Sequence, residues 1–78
     1  MREKALRFVV TFHTTADAMA MEKLCKKRGI AGKLISAPRT ISADCGIAWR
    51  SELGEAEAIR IAVAESGLEV QGMYEIEL

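Results

Sequence analysis

The sequence has few of the residues from which disulfide frameworks, metal centres and aromatic surfaces are built. Its 78 residues include two cysteines, one histidine, one proline, one tryptophan, one tyrosine and two phenylalanines. Cys25 and Cys45 are too few for a disulfide framework and lack the spacing of a zinc site. A single Cys25–Cys45 disulfide is still possible, but in a reducing cytoplasm both residues would be free thiols. The composition therefore excludes a small secreted scaffold held together by several disulfides.

The sequence also has no excess charge of either sign, because eleven basic residues balance eleven acidic ones. Such a chain creates no overall field that would attract nucleic acid or an anionic membrane. No apolar run approaches the ~20 residues of a membrane-spanning helix. The charged residues 1–4 are not followed by the apolar segment of a signal peptide. We therefore expect one cytoplasmic domain over residues 1–78, without membrane contact.

The spacing of apolar residues predicts the element order βαββαβ. Alternating positions predict strands over residues 6–12, 33–37, 46–50 and 70–78. Spacings of three and four predict a helix over residues 16–28, capped by Thr14 or Thr15, and a second helix that is capped by Ser51 or Gly54 and ends at Gly67. A short chain can build one sheet and one helical layer. We predict an α+β, ferredoxin-like sandwich, in which a four-stranded antiparallel sheet of order 4-1-3-2 carries both helices on one face.

The facing of the aromatic residues bears on nucleic-acid binding. Phe8, Phe12 and Tyr74 share the predicted core side of their strands, and we expect Trp49 to point inward as well. RNA recognition by a sheet face needs exposed aromatic side chains, so we expect no nucleic-acid partner. The opposite face would carry a mixed set of side chains: Arg7, Val9, Thr11, Met73 and Glu75. That mixture permits a homodimer without requiring one.

The most informative segment is the polar, turn-rich loop over residues 38–46, which ends in Cys45 and Gly46. The first two strands of the predicted fold run parallel, so both end at the same edge of the sheet. The topology therefore gathers Cys45 with the start of the first helix, at His13, Thr14 and Thr15. The rest of the sequence is typical of a small structural scaffold and offers few other candidates for a site. We predict that the functional site lies at this edge.

Cys45 is the candidate nucleophile of this site, because a thiolate is the reactive form of cysteine and positive potential favours it. The helix N-terminus, Arg39 and His13 would supply positive potential, whereas Asp44 opposes it. Gly46 would leave clearance beside the sulfur. Hydrogen-bond donors such as Ser42 would bind a terminal sulfur or selenium atom.

Other interpretations of the two cysteines stay open on residue chemistry alone. A cysteine at a strand start is often a small buried side chain, and Cys25, on the apolar stripe of the first helix, is expected to fill the core. A metal site would have only Cys45 and His13 as ligands in each chain and would need a dimer. We expect neither a metal ion nor a bound cofactor.

Two segments carry a resemblance to a known family. They are Phe12-x-Thr14-Thr15-x-Asp17-Ala18, which leads into the first helix, and Pro38-Arg39-x-Ile41-Ser42-x-x-Cys45-Gly46, which precedes the third strand. Together they resemble the selenium/sulfur carrier protein-like family of small bacterial proteins, from about Phe8 to Trp49 and more loosely to the C-terminus. The resemblance implies a ferredoxin-like fold, a role in sulfur or selenium handling, and Cys45 as the residue that bears the atom.

The leading prediction is a carrier that holds sulfur or selenium on Cys45. It would receive the atom from a donor enzyme such as a cysteine desulfurase and pass it to an acceptor protein. With no second cysteine nearby to resolve an adduct, a carrier fits better than a catalyst with turnover. The alternative is a non-enzymatic regulatory module that binds a small ligand or a protein partner and in which Cys45 is structural.

Overall fold

The computed structural model describes residues 5–41 and 43–78 and has the predicted element order. The elements are β1 (Leu6–Thr11), α1 (Thr15–Arg28), β2 (Lys33–Ser36), β3 (Ile47–Glu52), α2 (Ala56–Ser66) and β4 (Gly72–Glu77), with a 3₁₀ turn at Leu53–Glu55 before α2. The four strands form one sheet of order β2-β3-β1-β4, in which every neighbouring pair is antiparallel. The predicted ferredoxin-like fold and strand order are confirmed.

Local signals explain where both helices end and where the first begins. The Thr14 hydroxyl accepts the Asp17 N–H at 3.1 Å, which satisfies one of the free amides of the first turn of α1. Gly29 and Gly67 follow the two helices in left-handed conformation, with φ of 70° and 74°. In the part of the chain that the structure describes, no helix combines the length and apolarity needed to cross a bilayer.

The predicted caps of α2 are wrong, because β3 runs two residues further than expected. Ser51 is a buried residue of that strand rather than a cap, and its hydroxyl accepts Trp49 Nε1–H at 2.7 Å and donates to the Ala31 carbonyl at 2.8 Å. Gly54 lies in the 3₁₀ turn, and Glu55, the residue before α2, makes no capping hydrogen bond with its side chain. The hydroxyl of Ser51 instead satisfies the indole of the inward-facing Trp49, as buried polar groups require.

The main core lies between the sheet and the two helices. Its central members are buried side chains from both layers: Phe8, Val10, Phe12 and Trp49 from the sheet, and Ala18, Met21, Cys25, Ile59 and Ala62 from the helices. The inward facing of Trp49, Phe8 and Phe12 is as predicted. The small alanines let the helices approach the sheet, while the aromatic rings fill the remaining volume.

The predicted facing of β4 is wrong. Met73 lies opposite Val10 and packs against the core, whereas Tyr74 lies opposite Val9 on the face that carries no helix. Val70 does pack against the core as expected, but it precedes β4, so the alternation that starts from it does not continue into the strand. Tyr74 is thus on the open face, which removes one argument against nucleic-acid binding and leaves that expectation a prediction.

Candidate functional site

The loop that joins β2 to β3 closes as a hairpin and places Cys45 at its base. The Ala37 N–H donates to the Gly46 carbonyl at 3.0 Å, which extends the β2–β3 ladder by one step. Inside the loop, the Gly46 N–H donates to the Ala43 carbonyl at 3.0 Å. Cys45 is therefore held in a tight turn immediately before β3. Ser42, a predicted donor of the site, lies outside the described residues.

The end of β1 lies directly beside this turn. The Cys45 N–H donates to the Phe12 carbonyl at 3.4 Å, a long hydrogen bond between the cysteine and the residue that follows β1. The pairing of β1 with β3 explains the contact. Thr11 lies opposite Ala48, and because the strands are antiparallel, the residues after Thr11 run alongside the residues before Ala48, toward Cys45. The structure thus brings the segment that contains His13 next to the segment that contains Cys45.

His13 and Asp44 form an ion pair or hydrogen bond across this contact. His13 Nδ1 lies 2.7 Å from Asp44 Oδ2, and roughly half of each side chain is exposed to solvent. From the sequence, Asp44 is expected to be a negative charge beside the thiol and His13 a source of positive potential. In the structure these two groups face each other, so the carboxylate is engaged by the imidazole. His13 therefore connects to the cysteine segment through Asp44.

Gln71 is a member of the site that was not predicted from the sequence. Its side-chain Oε1 accepts the Asp44 N–H at 2.9 Å, and its own backbone N–H donates to the Thr11 carbonyl at 2.7 Å. Gln71 immediately precedes β4, and only the pairing of β4 with β1 brings it to the loop. A glutamine in a strand-like segment carries no sequence signal for such a contact.

The sulfur of Cys45 is partly buried. The side chain packs against the edge of the core, and its S–H donates to the Ile47 carbonyl at 3.3 Å. Cys45 as a residue is thus neither completely buried nor fully exposed. The thiol form makes this hydrogen bond, so a reaction at the sulfur has to break it.

Cys25 has the opposite environment. Its side chain is completely buried in the core, and this burial, together with the Glu55 carboxylate, raises the pKa of Cys25 to about 11. Cys25 and Cys45 are both free thiols. Cys25 is therefore protonated and inaccessible at neutral pH, and Cys45 is the thiol that a reactant can reach.

Comparison with protein families finds a match over most of the chain. The family model described as "Putative Se/S carrier protein-like" matches residues 7–75. The chain belongs to this family. Comparison with curated proteins and with solved structures finds no match for the chain. The family match spans most of β1, the cysteine loop and most of β4, so it includes every residue of the site described above.

The remaining predicted site residues, Thr14, Thr15 and Arg39, lie at the start of α1 and in the loop between β2 and β3. Thr14 caps α1 with its hydroxyl, and Thr15 is the first residue of that helix. Arg39 lies exposed in the turn that the Ile41 N–H closes on the Pro38 carbonyl at 3.2 Å. Among residues 5–41 and 43–78, the Arg39 guanidinium forms no ion pair. The roles proposed for these three residues at the sulfur stay predictions.

The backbone conformation at residue 46 favours glycine. Its φ is +74°, in the left-handed region that side chains rarely adopt. A Cβ atom at this position would meet no atom within 4 Å apart from those of the two neighbouring residues in the chain. The space beside Cys45 is thus open, and the conformation of the turn, rather than crowding, is what favours glycine here.

Within the described part of the chain, no group of three or more His, Cys, Asp and Glu side chains is placed to hold a metal ion. His13, the second candidate ligand, directs Nδ1 to Asp44 instead.

Proposed function

We propose that this protein is a cytoplasmic carrier that holds sulfur or selenium on the Sγ atom of Cys45. Membership of the Se/S carrier protein-like family supports this proposal. The observation that carries it is the contrast between the two cysteines: Cys45 is partly open at the base of a hairpin loop, whereas Cys25 is completely buried.

The proposed loading reaction is a transfer between two sulfur atoms. The Cys45 thiol gives its proton to solvent, and the thiolate attacks the terminal sulfur of a persulfide on a donor enzyme. A bond forms between Cys45 Sγ and that sulfur, while the donor's S–S bond breaks and its thiolate leaves with the electron pair. No external oxidant or reductant is needed. A selenium atom bound to the donor's sulfur would transfer in the same way.

The burial of Cys25 favours a carrier over a dithiol oxidoreductase. An adduct on Cys45 is released within the same chain only if a second thiolate reaches its sulfur. Cys25 is buried and its pKa is raised to about 11, so it does not supply that thiolate in the folded protein. The adduct on Cys45 would therefore persist until the nucleophile of an acceptor protein removes it.

Intact-mass measurement tests the proposal directly. The protein is incubated with a cysteine desulfurase and cysteine, or with selenocysteine in a parallel sample, under non-reducing conditions. We expect a mass increase of one sulfur or one selenium atom, present in Cys25→Ala and absent in Cys45→Ser. If the wild-type protein gains no atom, or if Cys45→Ser gains as much as wild type, the carrier proposal is wrong.

One structural observation favours the second candidate, a regulatory module that binds a small ligand or a protein partner. Cys45 packs against the core and donates its S–H to Ile47, as a structural cysteine would. In that case Cys45→Ala would fold normally and retain binding to its partners. Co-purification of a desulfurase with wild type but not with Cys45→Ala would favour the carrier instead. A donor enzyme, an acceptor protein and a homodimer are the partners to look for.

A further inference from the structure

The end of β1 makes a series of contacts with the segment that contains Cys45. Three consecutive residues each hold one partner: Thr11 holds Gln71, Phe12 holds Cys45, and His13 holds Asp44. The contacts of Thr11 and Phe12 are made by backbone carbonyls, so they depend on the path of the chain. One further hydrogen bond links two of these partners, because the side-chain oxygen of Gln71 accepts the Asp44 N–H.

Gln71 joins two of these contacts into a closed ring. Its backbone is fixed to Thr11 at 2.7 Å, and its side-chain oxygen accepts the Asp44 N–H at 2.9 Å. Asp44 is in turn held by His13 at 2.7 Å. The residue before Cys45 is thus held by its backbone on one side and by its carboxylate on the other. Because Cys45 is the next residue, its position follows from these two contacts.

We propose that Gln71 is a positioning residue for Cys45: its side-chain amide holds the cysteine segment against the end of β1 and sets how far the sulfur is open to a reactant. The inference rests on the proposed function for the identity of that reactant. The access of the sulfur is a property of the segment itself and is measurable with any thiol reagent.

The alkylation rates of the two cysteines with iodoacetamide test this inference. Gln71→Met keeps the length of the side chain and removes the oxygen that accepts the Asp44 N–H. Loss of one neutral hydrogen bond raises the population of the released segment about two- to tenfold, so we expect Cys45, which also reacts from the held segment, to react faster by up to about that factor. Cys25 should react at the wild-type rate, because the core is unchanged. Glu69→Gln, a change at an exposed residue near Gln71, should leave both rates unchanged.

The same variants separate positioning from general destabilisation. An unchanged Cys45 rate in Gln71→Met would overturn the inference, and so would an equal increase at Cys25, which reports opening of the core. If Gln71→Met does not fold, His13→Ala removes the other contact of Asp44 and should give the same increase at Cys45 alone; no such increase would again overturn it.

Sulfur loading by a desulfurase supplies a second readout. A released segment presents the sulfur in many orientations, so we expect Gln71→Met to load several-fold more slowly although it alkylates faster. Faster or unchanged loading would contradict a positioning role. If wild-type Cys45 takes no sulfur at all, the carrier proposal fails, while the alkylation rates still decide the role of Gln71.

Discussion

The two cysteines should differ in reactivity by orders of magnitude while the protein is folded. Burial and the Glu55 carboxylate raise the pKa of Cys25 from an ordinary 9.0 to about 11. At neutral pH this leaves about 100-fold less thiolate than an unperturbed cysteine would have, and the thiolate is the form that reacts. Burial adds a second factor, because a reagent reaches a completely buried sulfur only after the core opens. Each ~1.4 kcal/mol of opening free energy slows the reaction about tenfold further.

The assay is a time course with iodoacetamide, in which each cysteine-containing peptide is quantified by mass spectrometry. In the folded protein we expect Cys45 to be alkylated first, and we expect Cys25 to react at least about 100-fold more slowly than it does in denaturant at the same pH, the factor given by its raised pKa. In denaturant the two cysteines should react at similar rates, which checks that the local sequence is not the cause. If Cys25 reacts within tenfold of Cys45 under folding conditions, the assignment of Cys25 to the core and of Cys45 to the accessible site is wrong.

Three further predictions concern stability and are checked by denaturant unfolding. The pKa of Cys25 is about 11 in the folded protein, against an ordinary value of 9.0. As pH rises from 9 to 11, the free energy of unfolding of wild type should therefore fall by about 2–3 kcal/mol more than that of Cys25→Ala. Below pH 9 the two proteins should show the same pH dependence of stability. A Cβ at Gly32 would lie 2.5 to 2.6 Å from atoms of β3, so Gly32→Ala should cost about 2–3 kcal/mol, whereas Gly54→Ala, in open space, should stay within about 0.5 kcal/mol of wild type. Gly46→Ala should cost about 1 kcal/mol because of its left-handed backbone, and Gly46→Asn should cost less. Equal effects of the two Gly46 variants would contradict the conformational explanation.

The fold followed from the sequence because its local signals agree with one another. Period-two alternation located the strands, and the glycines at 29 and 67 marked both helix ends. The inward facing of Trp49 was predictable from the volume that alanine-rich helices leave empty. The facing of β4 was not, because apolar residues lie on both sides of that strand. The register that places Met73 opposite Val10 is set by the whole β1–β4 ladder, which no local window contains.

The sequence was enough to predict which segments of the chain meet at the candidate site, but not which side chains contact one another there. Because β1 and β2 run parallel, the segments that contain His13 and Cys45 lie at the same edge of the sheet. This follows from the topology alone. The contact between His13 and Asp44 depends on side-chain rotamers, and the contact of Gln71 depends on the register of β4. From the sequence, Asp44 is a negative charge that opposes thiolate formation. In the structure, its carboxylate and its backbone N–H both make hydrogen bonds that hold the loop in place.

The position of the site on β1 has a consequence for how a partner could act on it. β1 is paired on both sides, and its inward side chains Phe8 and Val10 lie in the core, so it belongs to the least mobile part of the sheet. The cysteine segment is held at the end of this strand by hydrogen bonds, two of which involve exposed Asp44, and by the packing of the Cys45 side chain against the edge of the core. A partner that competes for Asp44 would therefore release the segment at a cost of a few hydrogen bonds and the peripheral contact of Cys45, without disturbing the core contacts of Phe8 and Val10. Access to Cys45 is for this reason separable from the stability of the fold, and a variant that changes one should leave the other nearly unchanged.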